Sequence, residues 1–166
     1  LWWELSTCIL SSQVPYPLAV SAANKVDAQK LLDGAQPELN VLYKKLFDVL
    51  TTPLHVEGQL RKYRFPEKRA RQLSITRQIL TKEYGTLTNF LNSGLNAAEA
   101  RSWLISHVPG IGPKQASMFL RNVGFSYDFA ILDRHVLNYM SALGIYAGKE
   151  SFISNIKQYI KYEAIL

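Results

Sequence analysis

Residues 107–124 read HVPGIGPKQASMFLRNVG, and the rest of the chain is read outward from them. Just upstream, Ala100, Trp103, Leu104, His107 and Val108 fall at i, i+3, i+4, i+7 and i+8, the buried stripe of one helix, with His107 a hydrogen-bonded core histidine. Downstream, Ala116, Phe119, Leu120 and Val123 repeat that spacing on a second helix, Pro113 to Asn122. The turn Pro109-Gly110-Ile111-Gly112 joins the two, with Ile111 anchoring it in the core. Gly110 and Gly112 carry no side chain and can take positive φ, so backbone N–H groups there can lie against a phosphate. The helix that follows adds the positive end of its dipole, a ready anion site.

Lys114 stands in the first turn of that helix, where unpaired N–H groups already make the surroundings positive. It is either an indifferent surface residue or a lysine whose ammonium is uncomfortable by design. Met118 and Arg121 share its face, opposite the apolar stripe, which is either the wall of a cleft or plain solvent-exposed surface. Partial burial, a helix start and a neighbouring arginine all disfavour an ammonium. A neutral amine is what Schiff-base chemistry needs. Further on, AILDRHVL sets Asp133 directly before another helix. Aspartate is a favoured N-cap and needs no other reason to be there. A capping carboxylate is also ionised and rigid, suited to stabilising a developing sugar cation.

Elsewhere the patterning is helical throughout, with no convincing strand alternation. Helices are expected over 1–12, 18–32, 39–50, 66–84 (Pro66 first, Gly85 as stop) and 87–91, from Asp133 to Gly144, and from about Lys149 onward. The class is therefore all-α, with eight to ten short helices. The chain's 166 residues, 48% hydrophobic and 19% charged, suit one globular core or two small lobes. No apolar run approaches a membrane span, and LWWELSTCIL lacks the basic start and cleavage site of a signal peptide. The missing initiator Met, and a C-terminus inside a helical pattern, point to a trimmed chain.

Cys8 is the one cysteine, which excludes an internal disulfide, an internal Cys-ligated zinc site and a four-Cys iron–sulfur cluster, and suggests a reducing, intracellular setting. The net charge is +6. Its placement is more telling: RKYRFPEKRARQLSITR, Arg61 to Arg77, holds seven basic residues and one acid, leaving 12 of each sign elsewhere. Such a patch is either a polyanion-binding surface or a solvated basic helix face.

Taken together, VPGIGPK followed by LDRHV resembles the helix-hairpin-helix DNA glycosylases of base-excision repair. PGIGPKQASMFLRNVG and DFAILDRHVL look most like the archaeal and bacterial Ogg2-type 8-oxoguanine DNA glycosylase/lyases. The likeness covers nearly the whole chain, strongest from Val108 to Met140 and clear in ELSTCILSSQV and KYRFPEKRA. It implies two helical subdomains flanking a cleft: one of about residues 14–124, including the hairpin at 100–123, the other of 1–13 plus 125–166. Lys114 matches the catalytic lysine that would attack C1′, and Asp133 the aspartate that would stabilise the transition state. β-Elimination from the Schiff base would then nick the strand, a bifunctional glycosylase/AP lyase needing no cofactor or metal.

The resemblance implies further roles. Gln13 matches a side chain inserted where the base leaves the stack, though a polar residue at a helix end needs no such role. Tyr63 and Arg64 match a pair that wedges the duplex and meets the unpaired base. Gly110 and Gly112 would face the DNA backbone, Arg134 and His135 would contact phosphate or be simply solvated, and Met118 would pack against the extruded base. The implied partner is damaged double-stranded DNA, bound by a monomer in the cytoplasm or nucleoid, with no membrane.

Two departures stand out. The Ogg2 type ends in a short segment whose terminal lysine helps recognise 8-oxoguanine, and here the chain stops at Leu166 without it. Pro15, Tyr16, Pro17 and Leu18 stand where eukaryotic relatives carry an arginine, which weakens any inference of strict preference for cytosine opposite the lesion. The competing readings are the same chemistry on another damaged base, and a non-catalytic module binding duplex backbone through PGIG. That module would need the glycines but neither Lys114 nor Asp133. A helical protein-interaction domain would leave the basic segment and the turn unexplained.

Overall fold

The computed structural model describes residues 1–34, 38–148 and 150–166. Among them run α1 (Trp2–Leu10), α2 (Tyr16–Ala28), α3 (Leu39–Thr51), β1 (Leu54–Val56), β2 (Gln59–Arg61), α4 (Pro66–Tyr84), α5 (Leu87–Leu91), α6 (Ala97–His107), α7 (Pro113–Asn122), α8 (Arg134–Ala142) and α9 (Ile156–Glu163). The helical class is as expected. Where local chemistry marks a boundary, the boundary falls there: Pro66 opens α4 and Gly85, at φ +76°, closes it. A capping box opens α6, with Asn96 accepting from the Glu99 amide at 3.0 Å and Glu99 from the Asn96 amide at 2.9 Å.

Three expectations are corrected. The second helix ends at Ala28 rather than Leu32, because Lys30 takes φ +51° and reverses the chain. The last helix begins at Ile156 behind an Asn155 cap, while Lys149, its expected start, lies outside the described residues. A small hairpin interrupts the helices: β1 pairs antiparallel with β2, Leu54 opposite Arg61 and Val56 opposite Gln59. Glu57 and Gly58 turn it with φ of 50° and 78°, the double positive φ of a type I′ turn.

Two apolar clusters divide the molecule. The larger draws on α1 through α7 and the segment up to Phe129. The smaller contains Leu132, Leu137, Met140, Tyr146, Ile153 and Tyr159, from α8, α9 and their connection. The smaller cluster starts only after Phe129, and α1 packs in the larger one. Leu5 through Leu10 are all buried, Ser6 and Thr7 included, so the second half of α1 is enclosed on every side and packs inside the larger cluster against α2, α4 and α7. The lobes are tied by a buried ion pair from α6 to α9, Arg101 to Glu163 at 2.8 Å.

Candidate active site

Between the lobes lies a cavity of about 390 Å³ with Lys114 and Asp133 both in its wall. Ser11, Ser12 and Gln13 line it from the chain after α1, Gly110 through Gln115 from the hairpin, Leu132 through Arg134 from the start of α8, and Ser151 through Ser154 from the loop before α9. A roomier hollow, about 520 Å³, lies against Leu1, Arg77 and Thr86 and contains neither residue. Its buried cation is already engaged: Arg77 donates to the Leu32 and Gly34 carbonyls at 2.6 and 2.8 Å. The two candidate residues share only the smaller of these two cavities.

The hairpin builds one wall. Gly110 has φ +88°, and a Cβ there would meet the Gln72 side chain at 2.5 Å. Gly112 corrects the expectation of a second positive φ: it is extended, at −108°, and serves as the N-cap of α7. No side chain caps α7, so its first N–H groups are left for solvent or an anion. Lys114, half-buried, extends from that first turn. It approaches α1 closely enough to act on the Cys8 thiol: burial and Glu4 push that thiol well above its ordinary pKa, and Lys114 opposes them.

Asp133 builds the facing wall. Its Oδ1 accepts from the His135 and Val136 amides at 2.8 and 2.9 Å, capping α8 and fixing the carboxylate. Both bonds use one oxygen, so Oδ2 is not spent on the cap. Arg134, exposed, lines the cavity beside it, while His135 is exposed outside the lining.

Gln13 is exposed at the rim with φ +61°, a conformation that costs a non-glycine residue energy and often marks a functional position. The basic segment holds it there. Arg69 donates to the Ser12 carbonyl at 2.7 Å, and the Tyr63 hydroxyl donates to the Leu10 carbonyl at 2.6 Å. Tyr63, expected with Arg64 to wedge the duplex, is a buried strut in this structure, its phenol pushed up to about 12 mainly by burial. Arg69 and Arg77 are likewise structural, which leaves Arg61, Lys62, Arg64, Lys68 and Arg71 exposed as the segment's outward charge.

Two other expectations shift. His107 is exposed rather than buried; it stacks on Trp103 at 4.7 Å, with Nδ1 3.0 Å from that residue's carbonyl. Met118 shares the half-buried face of Lys114 but packs against the larger cluster and is not among the cavity's lining residues. The sequence reading missed Ser151–Ser154. Phe152 there is 60% exposed at the cavity wall, and its signal was an aromatic alone in a polar loop.

The chain as a whole is similar to known proteins. The 8-oxoguanine DNA glycosylase (Ogg-HhH) family model matches residues 1–166. The 8-oxoguanine DNA glycosylase/AP lyase of Sulfurisphaera tokodaii is 31% identical, over 100% of this chain and 71% of its own length. That of Sulfolobus acidocaldarius is 32% identical over 87% of this chain and 63% of its length. Among solved structures, the 8-oxoguanine DNA glycosylase of Methanocaldococcus jannaschii superposes with a TM-score of 0.73 at 27% identity, covering 99% of this chain and 66% of that one. A glycosylase/lyase of the same organism, in complex with a 15mer DNA containing 8-oxoguanine, gives 0.71 at 26% identity, covering 99% and 68%. The chain belongs to the 8-oxoguanine DNA glycosylase family. It spans roughly two thirds of the length of these relatives.

Proposed function

We propose that the chain excises 8-oxoguanine from duplex DNA and nicks the resulting site, with Lys114 as nucleophile. The observation that carries this reading is the pairing, across one cavity, of a lysine on an uncapped helix start with a fixed aspartate. The names of the relatives and the lesion-containing DNA in the M. jannaschii complex support the substrate.

The target nucleotide must leave the stack to reach Lys114. Outward charge on Arg61, Lys62, Arg64, Lys68 and Arg71 supplies phosphate affinity independent of sequence. The uncapped start of α7, reached over Gly110 and Gly112, takes a backbone phosphate. Gln13 enters the vacated space, Arg64 meets the partner base, and Arg134 and His135 hold phosphates beside the cavity. The unprotonated Lys114 amine forms a bond to C1′ as the bond from C1′ to the base breaks and the base leaves with a proton. The Asp133 carboxylate stabilises the positive charge that develops on the sugar. Opening of the sugar gives a protonated Schiff base, and loss of a C2′ proton expels the 3′ phosphate. The enzyme acts as a monomer, inside the cell.

A duplex with one 8-oxoguanine opposite cytosine tests this reading. The parent chain is expected to release the base and nick the strand without added alkali, and Lys114→Gln to do neither. Tight duplex binding without excision by the parent would leave only a DNA-binding module.

A further inference from the structure

We propose that Tyr159 and Glu163, on α9, are positioning residues that hold the segment carrying Asp133 in register with Lys114. This rests on the function proposed above. Residues 129–132 belong to no helix or strand, yet Phe129 and Leu132 are buried. Backbone polar groups in such a segment need partners from elsewhere. Two side chains of α9 supply them. The Leu132 amide donates to the Tyr159 hydroxyl at 2.9 Å, and that hydroxyl donates to the Ala130 carbonyl at 2.9 Å. The Ala130 amide donates to Glu163 Oε1 at 3.1 Å. Asp133 is the next residue after Leu132.

The same glutamate is linked through Arg101 to the helix that carries Lys114. Arg101 Nη1 lies 2.8 Å from both Glu163 oxygens and donates to the Ser117 hydroxyl at 3.2 Å, while its guanidinium covers the Phe129 ring at 4.1 Å. Ser117 is on α7, one turn beyond Lys114. An unbroken run of contacts therefore joins the helix of Lys114 to the backbone of Asp133, crossing the lobe boundary through α9. Tyr159 is fully buried, and burial raises its phenol pKa, so it stays neutral and keeps both its donor and acceptor roles. Stability alone does not call for this wiring, since a buried ion pair is often no better than apolar packing. Registering two groups across a cavity does call for it, because small misplacements are costly to the chemical step.

The test is a double-mutant cycle on single-turnover excision of 8-oxoguanine, with enzyme in excess. Tyr159→Phe keeps the ring and removes the hydroxyl. It is expected to slow the chemical step about tenfold or more, with affinity for a duplex bearing a stable abasic-site analogue unchanged. In an Asp133→Asn background the same change is expected to have no further effect, since the group being positioned is gone. An equal factor in both backgrounds, or a loss confined to duplex affinity, would overturn the proposal. If Tyr159→Phe melts well below the parent, all four proteins of the cycle are compared at a temperature where each is folded as judged by its melt, with the same outcomes expected. Full excision by Asp133→Asn alone would overturn the role given to Asp133, and the proposal with it.

Discussion

α7 and α8 begin on facing walls of one cavity, and they begin in opposite ways. α8 starts as a helix in water prefers to: Asp133 caps it with two hydrogen bonds, and its negative charge suits the positive end of the dipole. α7 starts with Gly112 at the cap, no side-chain acceptor, and a lysine in the first turn. Replacing Gly112 by a capping side chain would stabilise that start by a few tenths of a kcal/mol from the cap alone. A chain that needed only two stable helices would treat both alike. The difference shows where stability has been set aside: the open start keeps N–H groups and an amine for a ligand, while the closed start holds the carboxylate still.

Two substitutions at Asp133 separate its cap from its charge, and they carry the largest expected effect among those that sharpen this contrast. Asparagine caps as well as aspartate, so Asp133→Asn is expected to lose only the charge–dipole part of the stability, about 0.5 kcal/mol, yet excise on the order of 100-fold more slowly. Asp133→Ala is expected to lose activity similarly and about 1 kcal/mol of stability besides. Thermal melts and single-turnover rates read the two quantities separately. Equal melting of the alanine and asparagine variants would deny the capping role.

Next in size is the attempt to abolish the contrast. Gly112→Asp gives α7 the cap that α8 has; the φ of −108° accepts it, and the nearest atom to the new Cβ, Gln115 Oε1 at 3.3 Å, ends a flexible side chain. Stability is expected to rise by about 1 kcal/mol. Duplex affinity is expected to fall about tenfold, the worth of one charge-assisted hydrogen bond to phosphate. A fluorescence-anisotropy titration at fixed salt measures it. Unchanged affinity would show that DNA does not use this helix start.

Smallest is the strut behind Gln13. Tyr63→Phe leaves the Leu10 carbonyl without its partner and is expected to cost about 1 kcal/mol. The neutral phenol is the form the fold holds. Its contribution is therefore whole below the ordinary tyrosine pKa of 10 and is lost as pH climbs through about 12. Denaturation curves at pH 8 and pH 11.5 are expected to differ less for Tyr63→Phe than for the parent.

What the sequence told, it told through local chemistry. Pro66 and Gly85 bound α4, PGIG with Pro113 bounds α7, and Asp133 marks α8, because caps and breakers act within a few residues. Lys114 and Asp133 stood out at helix starts for the same reason, but setting them together came from the family resemblance. Facts that depend on what a segment meets in space were not. The strands of the hairpin are three residues each, too short for alternation to register. A helix buried on every side, such as the second half of α1, does not say which cluster encloses it. Within the basic segment, charge alone could not separate Arg69 and Arg77, spent on carbonyls, from Arg64 and Lys68 in solvent. Nor did α9 advertise that Tyr159 and Glu163 reach the backbone beside Asp133.

The most direct measurement is borohydride trapping on a duplex with one 8-oxoguanine opposite cytosine, followed by peptide mapping of the adduct. Reduction turns a transient Schiff base into a stable link between enzyme and DNA. The parent is predicted to give an adduct mapping to Lys114, and Lys114→Gln, folded as judged by its melt, to give none. An adduct on a different lysine, or one that persists in Lys114→Gln, would contradict the account.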